Sequence, residues 1–336
     1  MQEKAKNPII LVPTRKSYVD LPLLGYIFFA YGLKQPFFSV PIDYKEVQIL
    51  NRIFQLWGAS YVQEKNKKPL YNAVLDAYIS IVMGDNQTIS VWIEESREKF
   101  GMMVKPNPKV FNSALKSFFE GRAKDIDIIP ITINYDRILE GETFPYELVG
   151  EESVKVSLSR FISSTRYIGT PFGKCCINFG TKISAKQYFG SLGLNQNDIR
   201  NLPHENRNDI ISGLIEKVMR SLMENTVIMS TGPISSVLLQ YRRGISNESL
   251  VSHIEWVYKE LDARKAKVSE ASMLNRGTSN SMILLNKFVK KNKDVFEPSV
   301  SPKIDYKNIL MLAYYKNTLA HIFLKEMIIG KLFLKI

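Results

Sequence analysis

Short apolar runs rich in β-branched residues alternate with stretches of helical periodicity through the first half of this 336-residue chain, and that alternation limits the fold more than any other feature. Pro8 to Pro13, "FFSVP", "ASYV", Thr88 to Ile93 ("TISVWI"), "IDIIPITINY" and "CCINFG" read as strands. Between them, Asp20 to about Tyr31, Tyr44 to Leu56, Pro69 to Met83, Phe111 to Glu120 and Ser153 to Tyr167 read as helices. The alternation predicts an α/β fold with a mostly parallel sheet flanked by helices. In such sheets, sites form at the carboxyl ends of the strands. Both "VPTRKSYVD" (Val12 to Asp20) and "VWIEESRE" (from Val91) lie at or just past the ends of predicted strands.

From about Gly193 helical periodicity takes over: Asp209 to Met223, Pro233 to Tyr241, Glu248 to Leu261, Ser281 to Lys290 and Ile309 to Glu326. "EASMLNRGTSNS" and "KKNKDVFEPSVSPK" read as linkers. The expected organisation is an α/β domain over residues 1–192 and a helical C-terminal region over 193–336 packed on it.

The formal net charge is +12, which suits anionic partners: a phospholipid surface, nucleic acid, or a phosphorylated or CoA-bearing substrate. No RNA-recognition signature is present, so nucleic acid has charge alone behind it. With three histidines and no ligand spacing, the sequence implies no metal. The adjacent Cys175 and Cys176 make no disulfide framework and fit a reducing compartment. "MQEKAKNP" lacks the apolar core of a secretory signal, and no stretch reaches the ~18 apolar residues of a spanning helix. The uncharged stretches Leu21 to Leu33 and Thr226 to Gln240 come nearest. Both read first as core and second as segments for shallow insertion at a membrane interface.

Four blocks follow one another along the chain. The first is Pro13, Arg15, Lys16, Ser17, Tyr18 and Asp20. The second is "GASYVQE", Gly58 to Glu64. The third is "WIEESR", Trp92 to Arg97, and the fourth is Ile129-Pro130-Ile131. Their order resembles that of the glycerol-3-phosphate and dihydroxyacetone-phosphate acyltransferases, whose patterns run P-x-H-[RK]-S-[YH]-x-D, G-x-F-F-x-R-R, F-x-E-G-T-R-S and a Pro-containing strand. "INYDRILEG", "YELVG" and "YYKNTLAHIF" extend the resemblance over nearly the whole chain, nearer the dihydroxyacetone-phosphate branch than the mitochondrial-type glycerol-3-phosphate branch. Sequence usual on either side of this region is short or absent, so a fragment of a longer protein is expected.

The resemblance implies acyl transfer from acyl-CoA, a co-substrate rather than a cofactor, to a hydroxyl of dihydroxyacetone phosphate, glycerol 3-phosphate or a related phosphorylated acceptor. This is an early step of ether-lipid and glycerophospholipid synthesis. The family's His is the general base and its Asp orients that His. Here Asp20 is kept and the His position is Arg15. A guanidinium has no acceptor lone pair and stays protonated, so Arg15 cannot take the proton. The expectation is an Arg15–Asp20 ion pair that preserves the turn. Residues at substrate-binding positions are Lys16, Ser17, Gly58, Gln63, Glu64, Glu94, Ser96, Arg97 and Pro130. Gln63 and Glu64 stand where the family has arginines suited to a phosphate dianion, and Glu95 stands where it has Gly. Lys16 and Arg97 remain as the expected anion contacts. "HENRND", His204 to Asp209, also spells H-x4-D, but no apolar strand precedes it and capping of a following helix explains Asn208 or Asp209. His253 and His321 read as packed helix residues. Two readings follow: an active membrane-associated acyltransferase, or a catalytically impaired relative that serves as a lipid- or CoA-binding membrane scaffold. The favoured branch implies a peroxisomal membrane, and its relatives also occupy the mitochondrial outer membrane or endoplasmic reticulum.

Overall fold

The computed structural model describes residues 7–333 apart from 43–44, 46–47, 64–67, 95–100, 104–105, 108, 143, 149–171, 270–281, 283, 286–288 and 299–305. The predicted helix Ser153 to Tyr167 and the candidate residues Glu64, Ser96 and Arg97, with Glu95, lie outside the described residues.

Five parallel strands form the centre: β1 (Ile9–Pro13), β2 (Phe37–Pro41), β3 (Ser60–Val62), β4 (Thr88–Ser90) and β5 (Asp127–Tyr135). They lie in the order β3-β2-β4-β1-β5. Beyond β5, β6 (Cys175–Phe179) and β7 (Ile183–Ser184) add antiparallel. Helices α1 (Asp20–Ala30), α2 (Gln48–Leu56), α3 (Pro69–Gly84) and α4 (Lys109–Phe119) connect the parallel strands. This is the mostly parallel, helix-flanked sheet that the alternation predicts.

The strand β1 is buried along its whole length, which is why it reads as an unbroken apolar run. Its period of two splits it between two cores. Ile9 and Leu11 pack with Leu21, Leu24 and Phe28 of α1 and Phe54 of α2. Ile10 and Val12 pack on the opposite face with Ile79 and Met83 of α3 and Phe111 and Phe118 of α4.

Pro130 sits in the middle of β5, opposite Val12 of β1. Its carbonyl accepts from Gly180 N, on the side away from β1. The missing N–H therefore faces the gap where β6 has ended at Phe179 and β7 has not begun. A proline is tolerated there because no ladder bond is lost.

Beyond a 3₁₀ turn (Leu139–Glu142) and α5 (Phe144–Leu148), the chain returns as α6 (Ala185–Ser191), α7 (Gln196–Asn201) and α8 (His204–Asn225). Phe189, Ile199, Leu214 and Val218 from these helices join the core of α3 and α4, so that core runs through residue 192. A separate apolar cluster gathers Ile138 and Phe144 with α9 (Thr231–Gln240), α10 (Asn247–Ala263) and α11 (Tyr306–Asn317).

The structure departs from the sequence reading in the C-terminal part. Met282 and Leu284 of the predicted helix Ser281 to Lys290 are helical, but its last two residues, with the expected linker as far as Pro298, form a hairpin. Val289–Asn292 pairs antiparallel with Val295–Pro298, and the second strand also pairs with Ile245–Ser246. Val289 and Phe296 bury against the helices, and Lys293 takes the left-handed conformation that a two-residue hairpin turn favours. The helix expected over Ile309 to Glu326 ends at Asn317, and α12 (Leu324–Phe333) starts afresh. Thr318 Oγ1 donates to the Tyr315 carbonyl, and the amides of residues 318, 319 and 320 bond three residues back, which tightens the chain out of helix. Asn208 and Asp209 are not at a helix start, because α8 opens at His204 after Pro203.

Of the two uncharged stretches, Thr226 to Gln240 is mostly buried. On α1 and just past it, Tyr26, Phe29 and Tyr31 are 63%, 76% and 78% exposed. No described helix is long and apolar enough to cross a membrane.

The division of β1 between two cores makes Ile10→Ala costly, by about 2–5 kcal/mol, because a fully buried side chain leaves a cavity. Tyr26→Ala should stay within about 0.5 kcal/mol. Urea unfolding of both variants checks the pair.

Candidate active site

The turn from β1 into α1 carries the first block of the resemblance. Thr14 extends the β1–β5 pairing: its N–H donates to the Ile131 carbonyl (2.9 Å), and its Oγ1 accepts from Ile133 N (3.0 Å). Four successive amides then run into buried carboxylates. Arg15 N donates to Glu94 Oε1 (3.0 Å). Lys16 N (2.7 Å) and Ser17 N (2.9 Å) both donate to Asp20 Oδ2. Tyr18 N donates to Glu140 Oε1 (2.6 Å), and Ser17 Oγ donates to the same carboxylate. Glu94 follows β4 and Glu140 lies in the 3₁₀ turn after β5, so three segments far apart in sequence fix one turn. A run of bare N–H groups at a helix start attracts anions. Here those donors are already engaged by the chain's own carboxylates.

The side chains around the turn face one another at the carboxyl ends of β1, β4 and β5. The Arg15 guanidinium lies 5.0 Å over the Trp92 ring, with Nη1 3.5 Å from the Glu94 carbonyl oxygen. The expected Arg15–Asp20 ion pair does not form. Asp20 turns both oxygens elsewhere, Oδ2 to the backbone of its own turn and Oδ1 to the Tyr135 hydroxyl (2.6 Å). Lys16 Nζ donates to Asn134 Oδ1 (3.0 Å), and Asn134 Nδ2 is buried without a partner among the described residues.

Burial dominates the electrostatics. It raises the Asp20 carboxyl to about 7, against the pull of its hydrogen bonds from Ser17, Tyr135 and Lys16, and the nearby Glu140 charge pushes the same way. Tyr135 is pushed upward by burial and by Asp20, so its hydroxyl stays a donor. His321 falls in the turn after α11, not inside a helix. Burial, with the Lys16 charge, lowers its imidazole to about 4, so the ring is neutral at pH 7, and Nε2 has no hydrogen-bond partner among the described residues.

Of the residues singled out in the sequence, the structure brings Arg15, Lys16, Ser17, Asp20 and Glu94 together. Pro130 lies several residues before the strand end that faces them. Gln63 is at the exposed end of the edge strand β3, where its N–H donates to the Tyr71 hydroxyl (2.9 Å). Gly58 precedes β3 at the opposite end of the sheet. It has φ +70°, and a Cβ there would press 3.3 Å from the Phe37 ring. The sequence reading assigned no role to Trp92, Asn134, Tyr135 or Glu140. The last three fall within "INYDRILEG", a block whose resemblance was legible but whose contacts with residues 15–20 were not.

The fold is a helix-flanked, mostly parallel α/β sheet, and residues 2–134 match the acyltransferase family model. Residues 146–335, more than half of the chain, match the model of the glycerol-3-phosphate acyltransferase C-terminal region. The chain belongs to the glycerol-3-phosphate acyltransferase family. It is similar to a glycerol-3-phosphate acyltransferase of Pseudomonas aeruginosa (strain LESB58), 27% identical over 335 residues that cover 97% of this chain and 40% of that protein. It is also similar to the dihydroxyacetone phosphate acyltransferases of Bos taurus (22%) and Homo sapiens (23%), each over 97% of this chain and 51% of the relative. The chain thus spans about half, or less, of the length of the curated relatives it matches.

The Asp20 carboxyl generates a pH dependence. Its folded-state value of about 7 lies above the ordinary 3.8, so the stabilisation it gives is complete below about pH 4 and is lost as pH rises through 7. Asp20→Asn keeps an acceptor for the two amides and carries no charge. Its melting temperature should fall less than that of the unchanged protein between pH 4 and pH 8, as differential scanning calorimetry across that range would register.

Proposed function

We propose that this chain binds acyl-CoA and a phosphorylated three-carbon acceptor, dihydroxyacetone phosphate or glycerol 3-phosphate, at the carboxyl ends of β1, β4 and β5, with an impaired acyl-transfer step. The family supplies the substrate classes. One observation carries the impairment: at the position of the family's His, Arg15 is fixed over Trp92 and against the Glu94 carbonyl. A guanidinium cannot accept the acceptor's proton, and loss of a general base costs about 10²–10⁴ in rate. Asp20, which would orient a His, instead holds the amides of Lys16 and Ser17. With the turn's amides engaged, the acceptor phosphate would be met by side chains, and Arg15 and Lys16 are cations at the turn.

A membrane surface is the setting we propose for this binding. The exposed side of α3 supports it: Pro69, Leu70, Ala73, Val74, Ala77, Tyr78, Ile81 and Gly84 are all uncharged in a protein of net charge +12. A basic body with an uncharged helix face suits an anionic bilayer.

The decisive experiment is transfer of a labelled palmitoyl group from palmitoyl-CoA in detergent, with each acceptor in turn. The unchanged protein should give little product. Arg15→His should raise the rate by about 10²-fold or more if the remaining site is competent. Ready turnover by the unchanged protein would overturn the impaired reading.

A further inference from the structure

A cavity lies away from the Asp20 turn, between α9, α10, α11 and α12. It has a volume of about 750 Å³. That is within the ~300–1,000 Å³ usual for a small-molecule site. Val237, Trp256, Val257, Leu319, Phe323 and Met327 form apolar walls. The outer wall is held in place by Arg264 at the end of α10. Its guanidinium pairs with Glu326 of α12 (2.7 Å) and lies 4.8 Å over the Phe323 ring.

We infer that this cavity binds one long-chain acyl amphiphile with an anionic head, such as a fatty acid or a lysophosphatidate. The apolar walls suit the chain. They continue outward into Leu324, Ile328 and Ile329 of α12, each 51–54% exposed, which gives an apolar tail a path from a lipid phase. Lys316 on the cavity wall suits the head, because no carboxylate lies within ion-pair distance of it among the described residues. The other titratable group on the wall is committed elsewhere. His253 Nδ1 donates to the Ser249 carbonyl (2.6 Å), which leaves Nε2 to accept from the Tyr241 hydroxyl (2.7 Å). The head is therefore read by Lys316. Helix α11 separates this cavity from the acyl-transfer turn: Lys316, Leu319 and Ala320 line the one, while Tyr314, Tyr315 and Thr318 line a small cleft beside Lys16 and Asn134. The inference thus stands whether or not the chain transfers acyl groups.

Fluorescence tests it, since Trp256 is on the wall. Oleate, 1-oleoyl lysophosphatidate, the neutral monooleoylglycerol and the chainless glycerol 3-phosphate are titrated separately into the full chain. The first three should change tryptophan emission saturably and glycerol 3-phosphate should not compete with them. Lys316→Glu should weaken oleate and lysophosphatidate about tenfold or more and leave monooleoylglycerol unchanged. Ala320→Phe, which fills the cavity, should abolish all three, with circular dichroism reporting that the variant is folded. Should Ala320→Phe misfold, Lys316→Glu still decides through the charged-against-neutral comparison. Equal oleate affinity in the unchanged protein and in either folded variant overturns the inference, as does competition by glycerol 3-phosphate.

Discussion

The seizure of four consecutive amides by three buried carboxylates is the interaction on which the rest of the site depends. Arg15, Lys16, Ser17 and Tyr18 leave β1 with no strand partner for their N–H groups and with helix α1 not yet begun. Buried donors of that kind cost about 1–3 kcal/mol each when unmet. Glu94, Asp20 and Glu140 meet all four. Because these acids come from the segment after β4, from α1 and from the turn after β5, satisfying the turn also locks three strand ends together. The same act brings negative charge into a buried place, and Asp20 responds by holding its proton up to about pH 7.

That arrangement shapes the chemistry available. The resemblance read from the sequence puts the family's proton-accepting His at this turn. Here the residue at that position is a cation with its planar head on an indole and its edge toward a backbone oxygen. Such a residue can hold an anion or a shape but cannot take a proton. His321 is neutral and half-buried near Lys16, yet its value of about 4 makes it a weak base. The turn's own carboxylates thus hold its amides, and burial penalises the charged form of Asp20.

The parallel sheet was legible because β1 and nearly all of β5 are buried on both faces, so β1 is a continuous apolar run and β5 is mostly apolar. The helices of the first half were legible from apolar spacing. Legibility failed where the local pattern was ambiguous. "FVKKNKDVFEP" has the lysines and turn residues of a linker, but Val289 and Phe296 find a helical core that only the folded chain supplies, and a hairpin results. The break after Asn317 was equally hidden, since Thr318 ends the helix through its own hydroxyl while the apolar spacing runs on.

By itself the sequence determined the class of fold and the family, because these are carried by residue types in order along the chain. It also marked Asp20 and Glu94 as members of one site. Which partners they take was decided only in three dimensions. An Arg and an Asp five residues apart predict an ion pair, but the nearest unmet donors to Asp20 in the folded turn are the backbone amides of Lys16 and Ser17 and the Tyr135 hydroxyl. Glu140, more than a hundred residues away in the chain, completes the turn. Short-range pattern cannot report such pairings, because burial sets their energy and burial is a property of the assembled strands and helices.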